Sequence, residues 1–348
     1  MKTQTPPQFI QPASMVRRGF TLVELLVVIG IIALLIGLLL PAIAAVSTAA
    51  KNSKTDSILT EFGKACEQFQ LEHGFYPGLV PEQALAAAAA GGAAEISSTE
   101  NALLHLMGGY MVDDGSPAYL AATGREYDFT AWNGPRFKVL SDPALPGRPS
   151  QMGRGPVING KQYPPYYSPG NDEFAIARGQ VGEPDFQIPD VLDAWGTPII
   201  YLKRARTVGP IVGDPGDVPA PQFMRDGANS YLISTGLGEL LGNQVPGGGT
   251  VQYSMLNASG GGASQNGNFT AAEWNLMVIL GHQGLMTDVS GDIYYSQPRG
   301  EFAVISAGED GIFFSQHEFD PTDTDNEIPS PAAVKEFDDI VRMGGGGG

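Results

Sequence analysis

From Arg17 to Ala45 the chain runs RRGFTLVELLVVIGIIALLIGLLLPAIAA, and this stretch constrains the fold more than any other. Between Leu22 and Leu40 it is Leu, Ile and Val, broken only by two glycines, one alanine and a single acid, Glu24. At a rise of about 1.5 Å per helical residue the run approaches the ~20 residues needed to cross a bilayer core. Two ordinary readings stand beside an assembly role. One is a cleaved secretory signal, with Arg17 and Arg18 as its basic region and Ala42-Ile43-Ala44 as a small-residue site, although the apolar run is longer than such signals use. The other is a plain anchor that keeps its leader. Neither explains Glu24, because a carboxylate in an apolar helix is costly and usually has a partner. Cleavage after Gly19 would create one, a new α-amino group on Phe20, in the same chain or on a neighbouring subunit.

Arg17-Arg18-Gly19-Phe20-Thr21-Leu22-Val23-Glu24 resembles the leader junction of type IV pilins and of type II secretion pseudopilins. The resemblance implies cleavage after Gly19 by a prepilin peptidase that also N-methylates Phe20. It further implies that Glu24 sets register in a filament, and that Pro41 sits at a kink or a locally melted turn of a long helix. The implied partners are further copies of the chain, other pilin-like subunits and an inner-membrane assembly platform.

The chain has 348 residues, 37 acids against 20 Lys and Arg, and a formal charge of −17. That balance argues against nucleic acid, which demands clustered cations. Lys2, Arg17 and Arg18 precede the span without a nearby acid, so the positive-inside rule keeps the N-terminus cytoplasmic and exports Lys51 onward, placing the C-terminal part on the periplasmic side. The one cysteine, Cys66, excludes an internal disulfide, and its spacing with Phe62 and Phe69 marks it as a small core residue. It is also misplaced for a lipoprotein.

Along the chain, residues 1–19 form a leader, polar and without periodicity up to Val16. Residues 20–46 form the transmembrane and assembly helix. Residues 47–78 continue the helix and end it: Ile58, Leu59, Phe62, Ala65, Cys66 and Phe69 recur at helical spacing, Asp56 would cap a new turn if the helix broke near Lys51, and Gly74 suits the C′ position. The stretch KACEQFQLEHGFYPG resembles the helix end of major pseudopilins. Residues 79–190 form a loop-rich insertion, with an alanine-rich run at 84–94, helical periodicity from Ala102 to Met107, and prolines that prevent long elements beyond Asp113. Its Tyr163, Tyr166 and Tyr167 are either a binding surface or proline-linked loop packing.

Residues 191–348 form a β-sheet region with an acidic loop. Asp193-Ala194-Trp195-Gly196-Thr197-Pro198 resembles the turn that leads into the first strand of pseudopilin heads, with Trp195 expected in the core and a strand at Ile199–Leu202. Asn229–Gly236 and Glu301–Gly308 each carry an apolar run into Ser-x-Gly, flanking a Gly- and Asn-rich loop at 245–268 and a short helix at 271–280 that bears Trp274 and Met277. The tail, Ser306 to Gly311 followed by Asp320, Asp323, Asp325, Glu327, Asp338 and Asp339, offers hard oxygen ligands of the kind Ca²⁺ takes, without EF-hand spacing. It resembles the calcium-holding tail of major pseudopilins, which implies Asp310, Asp323, Asp325, Asp338 and Asp339 as candidate ligands; a solvated acidic loop is the alternative. The four histidines form no metalloprotease motif, no G-x-S-x-G elbow is present, and Gly247-Gly248-Gly249-Thr250 lacks the lysine of a phosphate loop.

The expectation is therefore an α+β, pilin-like protein: a long N-terminal helix whose second half packs on a small antiparallel sheet, with a large insertion. It would be a structural filament subunit rather than an enzyme. The rival from another class is a membrane-tethered binding protein or hydrolase that uses the helix only as an anchor.

Overall fold

The computed structural model describes residues 21–80, 96–128, 136–142, 145–175, 188–203, 254–257, 275, 278–281, 299–316, 318, 328 and 332–345. Helix α1, Leu22–His73, runs uninterrupted through both Pro41 and Lys51. The break at Lys51 does not occur, and Asp56 forms an ion pair with Arg342 instead of a cap. Gly74, at φ +79°, ends the helix as its sequence position suggests. The chain divides into two compact units, residues 1–49 and 50–348.

In the first unit the large apolar side chains from Leu22 to Val46 are 43–78% exposed. No buried face exists among its described residues.

The second unit is built around α1 from Ala50 onward. Ile58, Leu59, Phe62, Ala65, Cys66 and Phe69 are all buried there, on one stripe of the helix. A three-stranded antiparallel sheet lies against that stripe, in the order β11 (Ile340–Gly344), β10 (Phe302–Ser306), β9 (Ile200–Lys203). Val304 stands opposite Tyr201 on one side and Arg342 on the other. Strand alternation then sorts two cores. Tyr201, Phe302 and Val304 face the α1 stripe, whereas Ile200, Leu202, Ala303 and Ile305 join Phe313, Phe314 and Val334 on the opposite face. Because both of their faces are covered, β9 and β10 are buried along their whole length, whereas the edge strand β11 is only partly buried. Gly344 is required by contact, since a Cβ there would collide with the Phe302 ring.

Much of the insertion is ordered. Helix α2, Ser98–Met107, opens with a capping box between Ser97 and Glu100. Its Thr99 hydroxyl donates to the Ile199 carbonyl at 2.9 Å and accepts from the Tyr201 N–H at 3.0 Å, so α2 closes the outer edge of β9. Strands β1 (Tyr110–Val112), β2 (Gly124–Tyr127), β3 (Phe137–Asp142) and β4 (Leu145–Pro149) make a second antiparallel sheet, with a short helix α3 (Pro117–Ala121) between β1 and β2. This sheet carries its own core of Val80, Ile96, Leu104, Tyr110, Tyr127, Phe137, Val139 and Ile188. Hairpin β5–β6 (Val157–Ile158, Lys161–Gln162) and the pair β7 (Phe174–Ala175) with β8 (Asp190–Val191) complete it.

The tyrosines act as packing groups. Tyr167 meets Phe62 edge-on at 5.3 Å, and the Tyr166 hydroxyl donates to Glu72 at 2.6 Å and lies 2.9 Å from His73 Nε2. His105 is buried, stacked on Phe69 at 5.2 Å, and its Nδ1 accepts the Gly78 N–H. Asn275 and Val278–Leu280 are helical, within the expected 271–280 segment, while Trp274, Met277, the 84–94 run and the 229–236 strand lie outside the described residues.

Candidate functional site

Two regions carry chemistry, one in each unit. In the first, α1 starts with a local hydrogen-bonded ring. The Thr21 hydroxyl accepts from the Glu24 N–H at 3.2 Å, and one Glu24 carboxylate oxygen accepts from the Thr21 N–H at 2.9 Å and from its hydroxyl at 2.7 Å. This is a capping box, with Thr21 as N-cap and Glu24 at the third helical position. It satisfies two orphan N–H groups and places the negative charge at the positive end of the helix dipole. The acid therefore has a partner within its own chain. Gly19 and Phe20 lie outside the described residues. Pro41 lies inside the helix, where it removes the donor that would serve the Gly37 carbonyl.

The second region is where the last loops of the sheet converge. Asp193 organises the turn before β9: one carboxylate oxygen accepts from the N–H groups of Trp195 and Thr197, both at 2.9 Å, and the other accepts the Ser306 hydroxyl at 2.7 Å. Burial raises its carboxyl while these donors pull it back down. The aspartate is buried, whereas Trp195, expected in the core, is only half-buried. Ser306 in turn accepts from the Gly308 N–H. Gly308 has φ +67°, and a Cβ there would strike the Asp338 carboxylate, so only glycine leaves room for that acid.

Three acids meet beside it. Glu318, Asp338 and Asp339 each present a carboxylate oxygen, all within 4.8 Å of one another. On each, the other oxygen takes a backbone N–H: Asp338 from Glu309 at 2.6 Å, Asp339 from Phe314 at 2.9 Å, and Glu318 from Asp338 at 3.3 Å. One oxygen of each carboxylate, Oε2 of Glu318 and Oδ1 of Asp338 and Asp339, is buried without a hydrogen-bond donor. Burial and the neighbouring Asp338 and Asp310 charges push Glu318 up to about 7. Burial, then the Asp338, Glu318 and Asp310 charges, also drive Asp339 far above the usual carboxylate range, against the pull of the Phe314 N–H.

Three orphaned acceptors, a glycine cradle and no nitrogen or sulfur donor in the cluster fit a hard divalent cation such as Ca²⁺. Of the five acids the sequence points to, Asp338 and Asp339 are in the cluster. Asp310 is adjacent: its carboxylate accepts from the Ile312 N–H at 2.7 Å while its charge acts on the other acids. Asp323 and Asp325 lie outside the described residues. Glu318 was missed, because a single acid 20 residues before Asp338 has no spacing signature.

Residues 14–40 match the family model of the prokaryotic N-terminal methylation motif. The match spans the leader junction, the Thr21–Glu24 ring and most of the apolar run. A prepilin-type motif followed by a long apolar helix and small antiparallel sheets fits a pilin-like or pseudopilin subunit. No curated protein and no solved structure matches the chain.

Proposed function

From the premise that this chain carries a prepilin-type methylation motif, we propose that it is a structural subunit of a pseudopilus or type IV pilus-like filament serving type II protein secretion. The observation that carries this reading is the position of Glu24: a carboxylate in the first turn of an exposed apolar helix, directly after a cleavable junction. In the precursor Thr21 holds that carboxylate. Cleavage after Gly19 frees the Phe20 amine, and the Glu24 of one subunit exchanges its Thr21 donors for the amine of the next, pairing the two charges as the helices bundle. The N-terminus faces the cytoplasm, and the head from Ala50 onward is periplasmic. The prepilin peptidase, an inner-membrane assembly platform and other pilin-like subunits are the partners in this scheme.

Mass spectrometry of the mature N-terminus tests it. N-methyl-Phe20 is the expected product. An N-terminus near Ala45 would instead indicate a secretory signal and an intact Met1 a plain anchor, and either would overturn the assignment.

The second part of the proposal concerns the acid cluster. Glu318, Asp338 and Asp339 would hold Ca²⁺, whose charge would offset most of the repulsion among the three carboxylates. The chain's own contribution is positional. Gly308 admits Asp338, the Phe314 N–H orients Asp339, and the Asp338 N–H orients Glu318, which joins the loop after β10 to the start of β11.

A further inference from the structure

Helix α2 belongs to two cores at once. Its Leu104 packs in the core of the insertion sheet, while Ala102, Leu103, Leu106 and Met107 pack with Phe62 and Phe69 of α1. Strand β8, which packs against α2, straddles the same seam, because Ile188 just before it lies in the first core and Val191 in the second. Two acids sit where these elements meet. Glu100 is 5% exposed and Asp190 8%. Glu100 cannot swing away freely, since its carboxylate accepts the Ser97 N–H at 2.6 Å in the α2 capping box.

A seam between apolar cores is a costly place for two negative charges. The groups that act on Glu100 are Asp190, which opposes its ionisation, and Ser97 and Arg125 of β2, which favour it. Arg125 brings its positive charge to Glu100, and it also lies 5.4 Å over the Tyr127 ring of the insertion core. We propose that Glu100 and Asp190 form a proton-held latch across this seam: retention of one proton by the pair keeps the insertion core and the α1 core docked, and its loss loosens the first turn of α2 and β8. Burial raises Asp190 from 3.8 to about 7 and drives Glu100 well above its ordinary range. For acids raised in the folded state, the stabilising contribution is complete below the unfolded value and is lost as pH rises through the folded one. The latch is therefore closed in acid and opens around neutrality. It is independent of the filament assignment, since it concerns only the docking of two parts of the head.

Hydrogen exchange of the full chain in detergent micelles, at constant calcium and corrected for intrinsic rates, tests this. Between about pH 5.5 and about pH 8.5, protection of segments 96–107 and 188–192 should fall roughly tenfold or more, a change of at least one pKa unit in free energy. Protection of β10 should stay constant. Asp190→Asn should flatten the response, and if that variant does not fold, Glu100→Gln, which preserves the capping geometry, should do the same. A flat wild-type profile, a fall shared equally by β10, or an unchanged fall in a folded variant would each overturn the latch.

Discussion

The two halves of α1 share one backbone geometry and opposite surface logic. From Leu22 to Val46 nearly every residue is apolar and the large side chains are exposed all round. From Ala50 to His73 the buried apolar residues form the stripe Ile58, Leu59, Phe62, Ala65, Cys66 and Phe69, and the opposite face carries Ser57, Glu61, Lys64 and Gln68 in water. A helix in water needs one apolar stripe facing a core, whereas a helix in lipid or in a bundle of its own kind needs apolar residues on every side. The first half has no described intramolecular partner to satisfy it and must find its environment elsewhere. The second half is complete within the chain. The acids of the two candidate sites follow the same division: Glu24 relies on a local ring that another charge can displace, while Glu318, Asp338 and Asp339 are held by backbone donors 20 to 29 residues away.

The sharpest way to break this contrast is Glu24→Ala. Membrane insertion should persist and filament assembly should be abolished, as judged by membrane fractionation and electron microscopy of sheared material; normal filaments would remove the charge-pairing role. Next comes a pair of truncations on the same helix. Phe62→Ala should cost the head about 3–5 kcal/mol through its lost contacts with Tyr167 and Tyr201. Leu26→Ala, in the exposed half, should leave the thermal midpoint of the head where it is. Equal destabilisation by both would mean that the first half is also part of a core.

Calcium at about a hundred times its Kd should stabilise the head by about 2.7 kcal/mol, a rise of roughly 4 °C in a melt of a head this size. Asp339→Asn should lose the calcium response, because the cluster is left with one carboxylate fewer to hold the ion. An unchanged wild-type midpoint on adding calcium would dismiss the site. The smallest effect is expected from Thr21→Ala, which removes the cap at about 1 kcal/mol and leaves the Glu24 carboxylate without its monomer partner. Assembly should weaken without vanishing, and the yield of sheared filaments measures it.

Several of these features were legible before any coordinates. The α1 stripe, the Gly74 stop, helix 102–107 and the strands near Ile199 and Phe302 follow from periodicity and turn residues. Two further signals stand in the sequence. Thr21-x-x-Glu24 before an apolar run is a capping-box pattern, masked because the same Glu24 also opens a run of bilayer length. Asn159-Gly160 between Val157-Ile158 and Lys161-Gln162 is a strong hairpin signal, lost in a region judged by its prolines. Both residues have positive φ, at 50° and 76°, as that turn demands. Other features had no local signature. The pairing of Arg342 with Asp56, the burial of His105 against Phe69 and the convergence of Glu318 on Asp338 join segments 20 to almost 300 residues apart.

By itself the amino-acid order determined the long helix, its division into an apolar and an amphipathic half, and the junction that a peptidase would cut, because each depends on neighbours within a few turns. Tertiary structure alone decided which acids are buried together and that the insertion owns a sheet and a core. It also decided that Asp193 is buried while Trp195, two residues on, is only half-buried. The physical reason is that a carboxylate's environment is set by whatever the folded chain places around it, and the side chains within a few ångströms of Asp190 or Asp339 come from distant parts of the sequence.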